Sequence, residues 1–324
     1  MNRLKTSLAF KLLVLVIAVI FFTWLFLTYQ TYGNWEFALK LRGKKWLAFV
    51  LVGIATSFAT ITFQTITHNH FLTPSILGFD SLYILIQTVL FFFMGHQLGG
   101  LLSNKLALFS VNVLLMVALS TGLFFFLLEK GRQNLYLLLM VGMILGTFFS
   151  SFSTFLQVLL DPNEYDKLQG KLFASFGNVD VSLLKITSIL IVLVVLFLLR
   201  KAPELDVLHL GKEKALNLGV DVSRLQLQLL MAVSLLIALS TALVGPVTFL
   251  GFIVANLTYQ YMGTFRHTSL FVAGSLLGIL LLVVGQFFVE QVFHWNTTMS
   301  VVIEFIGGVY FVGKILHERK AELG

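Results

Sequence analysis

Ten apolar stretches, each close to the length a helix needs to cross a bilayer, follow one another along almost the whole chain. They lie at 12–28, 46–66, 79–95, 106–128, 135–160, 182–200, 225–244, 247–262, 269–289 and 298–316, bounded by charge, Pro or Gly. A crossing takes about 20 residues for about 30 Å of hydrocarbon. No water reaches backbone groups there, so helices are the structure such runs can form. The expected fold is all-α, a polytopic membrane protein of about ten transmembrane helices, forming one transmembrane domain over residues 1–324. The eighth stretch is the weakest, because only Gly245 and Pro246 part it from the seventh; if that turn fails to reverse the chain, the count is nine. Composition agrees: 58% of residues are hydrophobic and 11% charged, against roughly 25% charged in a soluble domain. The absence of Cys excludes a disulfide framework and a cysteine-ligated metal.

Arg3, Lys5 and Lys11 precede the first stretch as they would in a signal peptide. No small-residue cleavage site follows, and Trp24, Phe26 and Tyr29 resemble an interfacial belt, so an uncleaved anchor is expected. Ten crossings put both termini on one side. Placing them in the cytoplasm leaves 14 Lys and Arg inside and 8 outside, which together make the 22 of the chain; the positive-inside rule therefore favours cytoplasmic termini. Half of the outside cations fall in one short connection, Lys40, Arg42, Lys44 and Lys45. Two readings stand: an acidic partner approaches there, or these side chains snorkel at the end of the second span. The net charge of +7 is distributed over connections and reads as topology, not as a nucleic-acid footprint.

Small and polar residues recur at helical spacing. Thr56, Thr60 and Gln64 share a face of span two, with Ser57 alongside. Gly142, Gly146, Ser150, Ser153 and Gln157 do so in span five. Ser234, Ala238, Thr241 and Gly245 mark span seven, and Gly274, Gly278 and Gly285 span nine. Such stripes serve close helix packing, or, in spans two and five above all, line a hydrated path for a bulky polar solute.

Ion-coupled transport normally needs several charges inside the membrane. Here Glu304 is the one acid well inside a predicted span, with Asp80 and Glu290 near span ends. An ion-coupled secondary transporter using Glu304 is the rival functional reading; a hydrogen-bonded helix contact is the structural one. His68 and His70, two apart, do not make a zinc site, and Asp161, Glu164 and Asp166 lack the alternation of a calcium loop and read as a solvated connection. No metal or cofactor is expected, and no nucleophile or paired carboxylates suggest an enzyme. The Walker A pattern is absent, so ATP cannot be bound by that device.

The longest charged connection, within 201–224, is RKAPELDVLHLGKEKALNLGVDVSR counted from Arg200. Pro203 is expected to halt span six, and KEKALNLG after Gly211 reads as a short helix ended by Gly219. A segment of this length in a chain otherwise economical with loops suggests a docking surface.

Three stretches carry a family resemblance that covers about residues 42–316. QTITHNHFLTPSILG is similar to Q-x-x-x-R-N-P-L-A-D-P-x-x-L-G, with Gln64, Asn69, Pro74, Leu77 and Gly78 in register. In LHLGKEKALNLGVDVSRL, Leu208, Gly211, Ala215, Leu218 and Gly219 match a cytoplasmic coupling segment. GPVTFLGFIVANLTYQYMG resembles G-P-I-x-F-V-G-L-I-V-P-H-x-x-R. The chain thus resembles the FecCD family, the ten-helix permeases of iron-siderophore, haem and vitamin B12 ABC importers. It departs from the pattern at His68, His70, Ala255, Asn256, Gln260, Gly285, Gln286, Glu290 and Val309. TPSILGFDSL is similar to the branch serving catecholate-type siderophores such as petrobactin.

The resemblance implies a bacterial cell-membrane permease without its own ATP site. It would pair with a second permease subunit, two ABC ATPases and an external siderophore-binding protein, and import a ferric siderophore by alternating access. Thr56, Thr60, Gln64, Asn69, Pro74, Gly78, Ser150 and Ser153 are expected along the path. Leu208, Gly211, Glu213, Ala215, Leu218 and Gly219 are expected to couple to the ATPase, and Arg42, Lys44 and Lys45 to dock the binding protein.

Overall fold

The computed structural model describes residues 8–29, 35–94, 104–130, 135–173, 175–177, 179–293 and 297–323. Of the cations used for orientation, Arg3, Lys5 and Arg132 lie outside the described residues, as do the side chains of Lys130, Arg319 and Lys320. Twelve helices follow in order among the described residues: α1 Leu8–Thr28, α2 Trp35–Thr67, α3 Phe79–Met94, α4 Lys105–Lys130, α5 Leu135–Val158, α6 Pro162–Leu172, α7 Val181–Leu208, α8 Lys212–Asn217, α9 Val222–Val244, α10 Leu250–Met262, α11 His267–Gln291 and α12 Met299–Leu323. A 3-10 turn, Ser75–Leu77, precedes α3. Each expected span has a helix, and seven among the described residues are long and apolar enough to cross a membrane.

The bundle is arranged around α2. Of its apolar window 78% is buried, against 11% for α1, so α2 is the central column and α1 lies at the periphery. It packs on α1, α7, α9, α10 and α11. The small-residue stripes make this possible. A Cβ on Gly53 would stand 2.8 Å from the Ile279 nitrogen, and one on Gly278 would meet the Gly53 carbonyl at 2.9 Å. One turn on, Gly274 receives Ser57, and Gly251 of α10 receives Thr60. Phe58 and Phe271 stack beside the crossing at 4.2 Å. Lipid offers helices little hydrophobic incentive to associate, so backbone-to-backbone approach of this kind holds them together. Gly53 and Ser57 of span two and Gly274 and Gly278 of span nine are therefore packing residues.

Several boundaries differ from the sequence expectation. α2 starts at Trp35, so Arg42, Lys44 and Lys45 are helical and not part of a loop. α7 continues through Pro203 to Leu208; a proline removes one intrahelical bond, and buried Leu198, Ala202, Leu205 and Leu208 hold the helix across the gap. Residues 162–172 form a helix with Pro162 in its first turn and a Glu164–Lys167 pair at 2.8 Å, where a solvated connection was expected. α10 has 13 residues, about 20 Å of rise, too short to cross alone. The chain before it is a reversal with Gly245 at φ 97° and Phe249 at φ 62°.

Cations finish two helix ends. Arg42 Nη1 donates to the carbonyl oxygens of Phe26 (3.0 Å), Leu27 (3.4 Å) and Tyr29 (2.6 Å) at the end of α1. Lys11 Nζ donates to those of Tyr261 (2.7 Å) and Met262 (3.2 Å) at the end of α10. Both place positive charge on orphan carbonyls at the negative pole of a helix.

Outside the α2 column, Gly78, left-handed at φ 89°, meets α5 backbone to backbone: an added Cβ would lie 2.7 Å from the Gly146 Cα. Gly78→Ala is therefore expected to destabilise by about 1–3 kcal/mol, an overpacking cost joined to a strained φ. Gly43→Ala, with nothing within 4 Å, is the control. Thermal midpoints of the detergent-solubilised protein measure both; equal midpoints would refute the contact.

Candidate translocation path and coupling surface

Thr56 and Thr60 of α2 face a narrow polar cleft shared with Thr73, Ser75, Asp80, Ser240 and Thr241. Its free volume is about 20 Å³, room for roughly one water. Asp80 stands in the first turn of α3 and accepts from Thr248 Oγ1 at 3.0 Å. Thr248 lies in the reversal before α10, so this contact joins α3 to that reversal, and sequence spacing gave no sign of it, since 80 and 248 are brought together by tertiary packing alone.

The motif segment after α2 is held by its own side chains. Gln64 Nε2 donates to the His70 carbonyl at 2.6 Å, and Asn69 Oδ1 accepts from the Phe71 nitrogen at 2.8 Å. Pro74 opens the 3-10 turn, which Gly78 closes against α5. From α10, Asn256 Nδ2 donates to the same His70 carbonyl at 3.3 Å, while its Oδ1 accepts from Lys314. The Lys314 ammonium stands 5.4 Å from the Phe71 ring centroid and 6.0 Å from that of Phe252. Gln64, Asn69, Pro74 and Gly78 are thus one folded unit. Asn256, a departure from the family pattern, ties that unit to α10 and α12.

Span five divides between the two readings of its stripe. Gly142 packs on Leu77, Gly146 on Gly78, and Ser153 is buried, donating to the Phe149 carbonyl at 2.7 Å. Ser150 is exposed, as are Thr147, Ser151 and Thr154.

The expected coupling residues gather on one small element. Gly211 (φ 107°) and Gly219 (φ 83°) take left-handed conformations that set α8 off from α7 and α9. Leu208 and Ala215 are fully buried and seat the element; Glu213 is exposed. The apolar surface it presents is Leu210, Leu216 and Leu218, at 51%, 51% and 64% exposure. The sequence reading named Leu218 but missed Leu210 and Leu216, because a leucine in a short helix does not announce which side it faces.

At the opposite end of the bundle, Lys45 forms an ion pair with Glu290 at 2.8 Å, both side chains 6% exposed. Gln286 Nε2 also donates to Glu290 at 3.0 Å. Of the three cations expected to meet a partner, Arg42 finishes α1, Lys45 is buried in this pair, and Lys44 is half-buried. The expected cluster is therefore divided between two internal roles.

The architecture is that of a polytopic helical permease. A metal-chelate type ABC transporter solved in an inward-facing conformation superposes with a TM-score of 0.83 at 22% identity, covering 96% of this chain and 99% of that chain. The FecCD transport family model matches residues 6–317, and the chain belongs to that family. It is 44% identical to the petrobactin import system permease protein YclO of Bacillus subtilis, over 99% of both chains. It is 38% identical to the petrobactin import system permease protein FatC of Bacillus anthracis, over 84% of this chain and 77% of that one. The hemin transport system permease protein HmuU of Yersinia pestis is 28% identical, over 90% and 86%. These relatives are transport permeases, and the ion-coupled alternative built on Glu304 gains no support from them.

Removing one partner of the Lys45–Glu290 pair leaves a buried charge uncompensated, at a cost of about 3–5 kcal/mol. Lys45→Met is expected to lower the thermal midpoint sharply, and Lys45→Met with Glu290→Met to recover most of it. A double variant no better than the single would refute the pairing.

Proposed function

We propose that this chain is the membrane-spanning permease subunit of an ABC importer that takes up a ferric siderophore of the petrobactin type by alternating access. ATP is hydrolysed on separate subunits, and a siderophore-binding protein delivers the cargo from outside. Family membership and 44% identity to a petrobactin permease along the whole chain support the cargo.

One observation carries the mechanism: α8, held by two left-handed glycines and seated by Ala215, turns Leu210, Leu216 and Leu218 outward beside Lys212, Glu213 and Lys214. A membrane-interior leucine needs no partner but lipid; three on a charged connection are a protein-docking surface. We assign it to the ATPase and place it, with both termini, in the cytoplasm. The Gln64–Gly78 unit then closes the inner end of the path. Thr56, Thr60 and the exposed hydroxyls of α5, Ser150 among them, line the route beside a second permease subunit. With Arg42 and Lys45 engaged internally, Lys44 is the member of the basic cluster left to the binding protein, together with the α6 region on that side.

Leu216→Glu with Leu218→Glu is expected to cut ATPase association at least tenfold in co-purification, with the permease itself still folded; undiminished association would overturn the docking role. Because the chain has no Cys, Lys212→Cys supplies a unique thiol. An impermeant maleimide should label it in inverted vesicles and not in intact cells. Labelling from outside would reverse the proposed topology.

A further inference from the structure

The end of α7 that leads into the docking element is connected to α2 by a chain of polar contacts. Asp206 lies in the last turn of α7, five residues before Gly211. Its Oδ1 accepts from the His267 backbone nitrogen at 2.8 Å, finishing the positive end of α11, and meets His267 Nδ1 at 2.6 Å. The other ring nitrogen, Nε2, is 2.8 Å from Thr65 Oγ1 of α2. His267 is 1% exposed and Thr65 4%. Thr65 is the neighbour of Gln64 on α2, whose Nε2 donates to the His70 carbonyl. The His70 carbonyl is the acceptor shared by Gln64 and Asn256.

We infer that the Asp206–His267–Thr65 chain transmits ATPase-driven movement of the α8 region to the Gln64–Gly78 unit, with His267 and Thr65 as positioning residues for gating. The inference rests on the reading of α8 as the ATPase-docking element.

The hydrogen bonds give the chain two discrete arrangements. Asp206 is a carboxylate acceptor, so with it engaged the ring proton sits on Nδ1 and Nε2 is an acceptor. Thr65 has one hydroxyl proton and two acceptors in reach, Nε2 and the Ile61 carbonyl at 2.9 Å. While Asp206 holds the ring, that proton goes to Nε2. If movement of α8 draws Asp206 outward, the ring it holds through Nδ1–H follows and Nε2 leaves Thr65. The Thr65 proton then turns to the Ile61 carbonyl, its other acceptor in reach. The hydroxyl beside Gln64 thereby changes partner as the docking element shifts. A two-state element biased from one end is the physical requirement for coupling between separated sites.

The test uses the complete transporter with both permease subunits, ATPases and binding protein, reconstituted in liposomes with ferric petrobactin as the probe. ATP hydrolysed per chelate imported is expected to rise about tenfold in Thr65→Val and in Asp206→Asn. It should stay within about twofold of wild type in Thr65→Ser, which keeps the hydroxyl. The Thr65→Val, Asp206→Asn double variant should be no worse than either single, as for two links of one chain. An unchanged ratio in both singles overturns the relay. Loss of the ATPase from the purified Thr65→Val complex also overturns it, since the hydroxyl then serves assembly. A wild-type complex that the binding protein fails to stimulate overturns the importer reading itself.

Discussion

Everything in this molecule depends on the close approach of α2 to its neighbours through residues without bulk. In hydrocarbon the backbone satisfies its own hydrogen bonds within each helix, so helices form early and independently, and the open question is what joins them. Here the answer is contact between Gly53 and Gly278, extended by Ser57 against Gly274 and Thr60 against Gly251. The fit is steric and close to backbone, which fixes α2, α10 and α11 as one body. A second contact of the same kind, Gly78 on Gly146, fixes the 3-10 turn to α5.

Around that body, polar groups act mostly as connectors. Arg42 and Lys11 finish helix ends, Lys45 and Glu290 satisfy each other, and Asn256 links the His70 carbonyl to Lys314. The Thr248–Asp80 contact and the Asp206–His267–Thr65 chain have the same character: each joins segments remote in sequence. Burial makes such contacts costly to leave half made, so their geometry is restrictive. That property suits a permease, which has to exchange a few defined arrangements without exposing loose polar groups to lipid.

The ten spans were legible because apolar length is a one-dimensional property, and α8 was legible because Gly211 and Gly219 bracket a charged stretch. Pro203 misled: its missing N–H predicts a stop, and packing of Leu198, Ala202, Leu205 and Leu208 outweighs it. The basic cluster at 42–45 misled for a related reason. Charge beside an apolar run looks like a surface, yet helical extension to Trp35 turns Lys45 inward onto Glu290, 245 residues away. The stripes in spans two and five could be read as path or packing, and the structure divides them, with Gly146 and Ser153 packed and Ser150 exposed.

The amino-acid sequence by itself determined the apolar helices and the position of α8, because hydrophobic length and glycine placement act within a few turns of chain. Only the tertiary structure decided which polar residues meet. Thr65, Asp206 and His267 carry no periodic signal that relates them, and their partnership exists because α2, α7 and α11 converge at one end of the bundle.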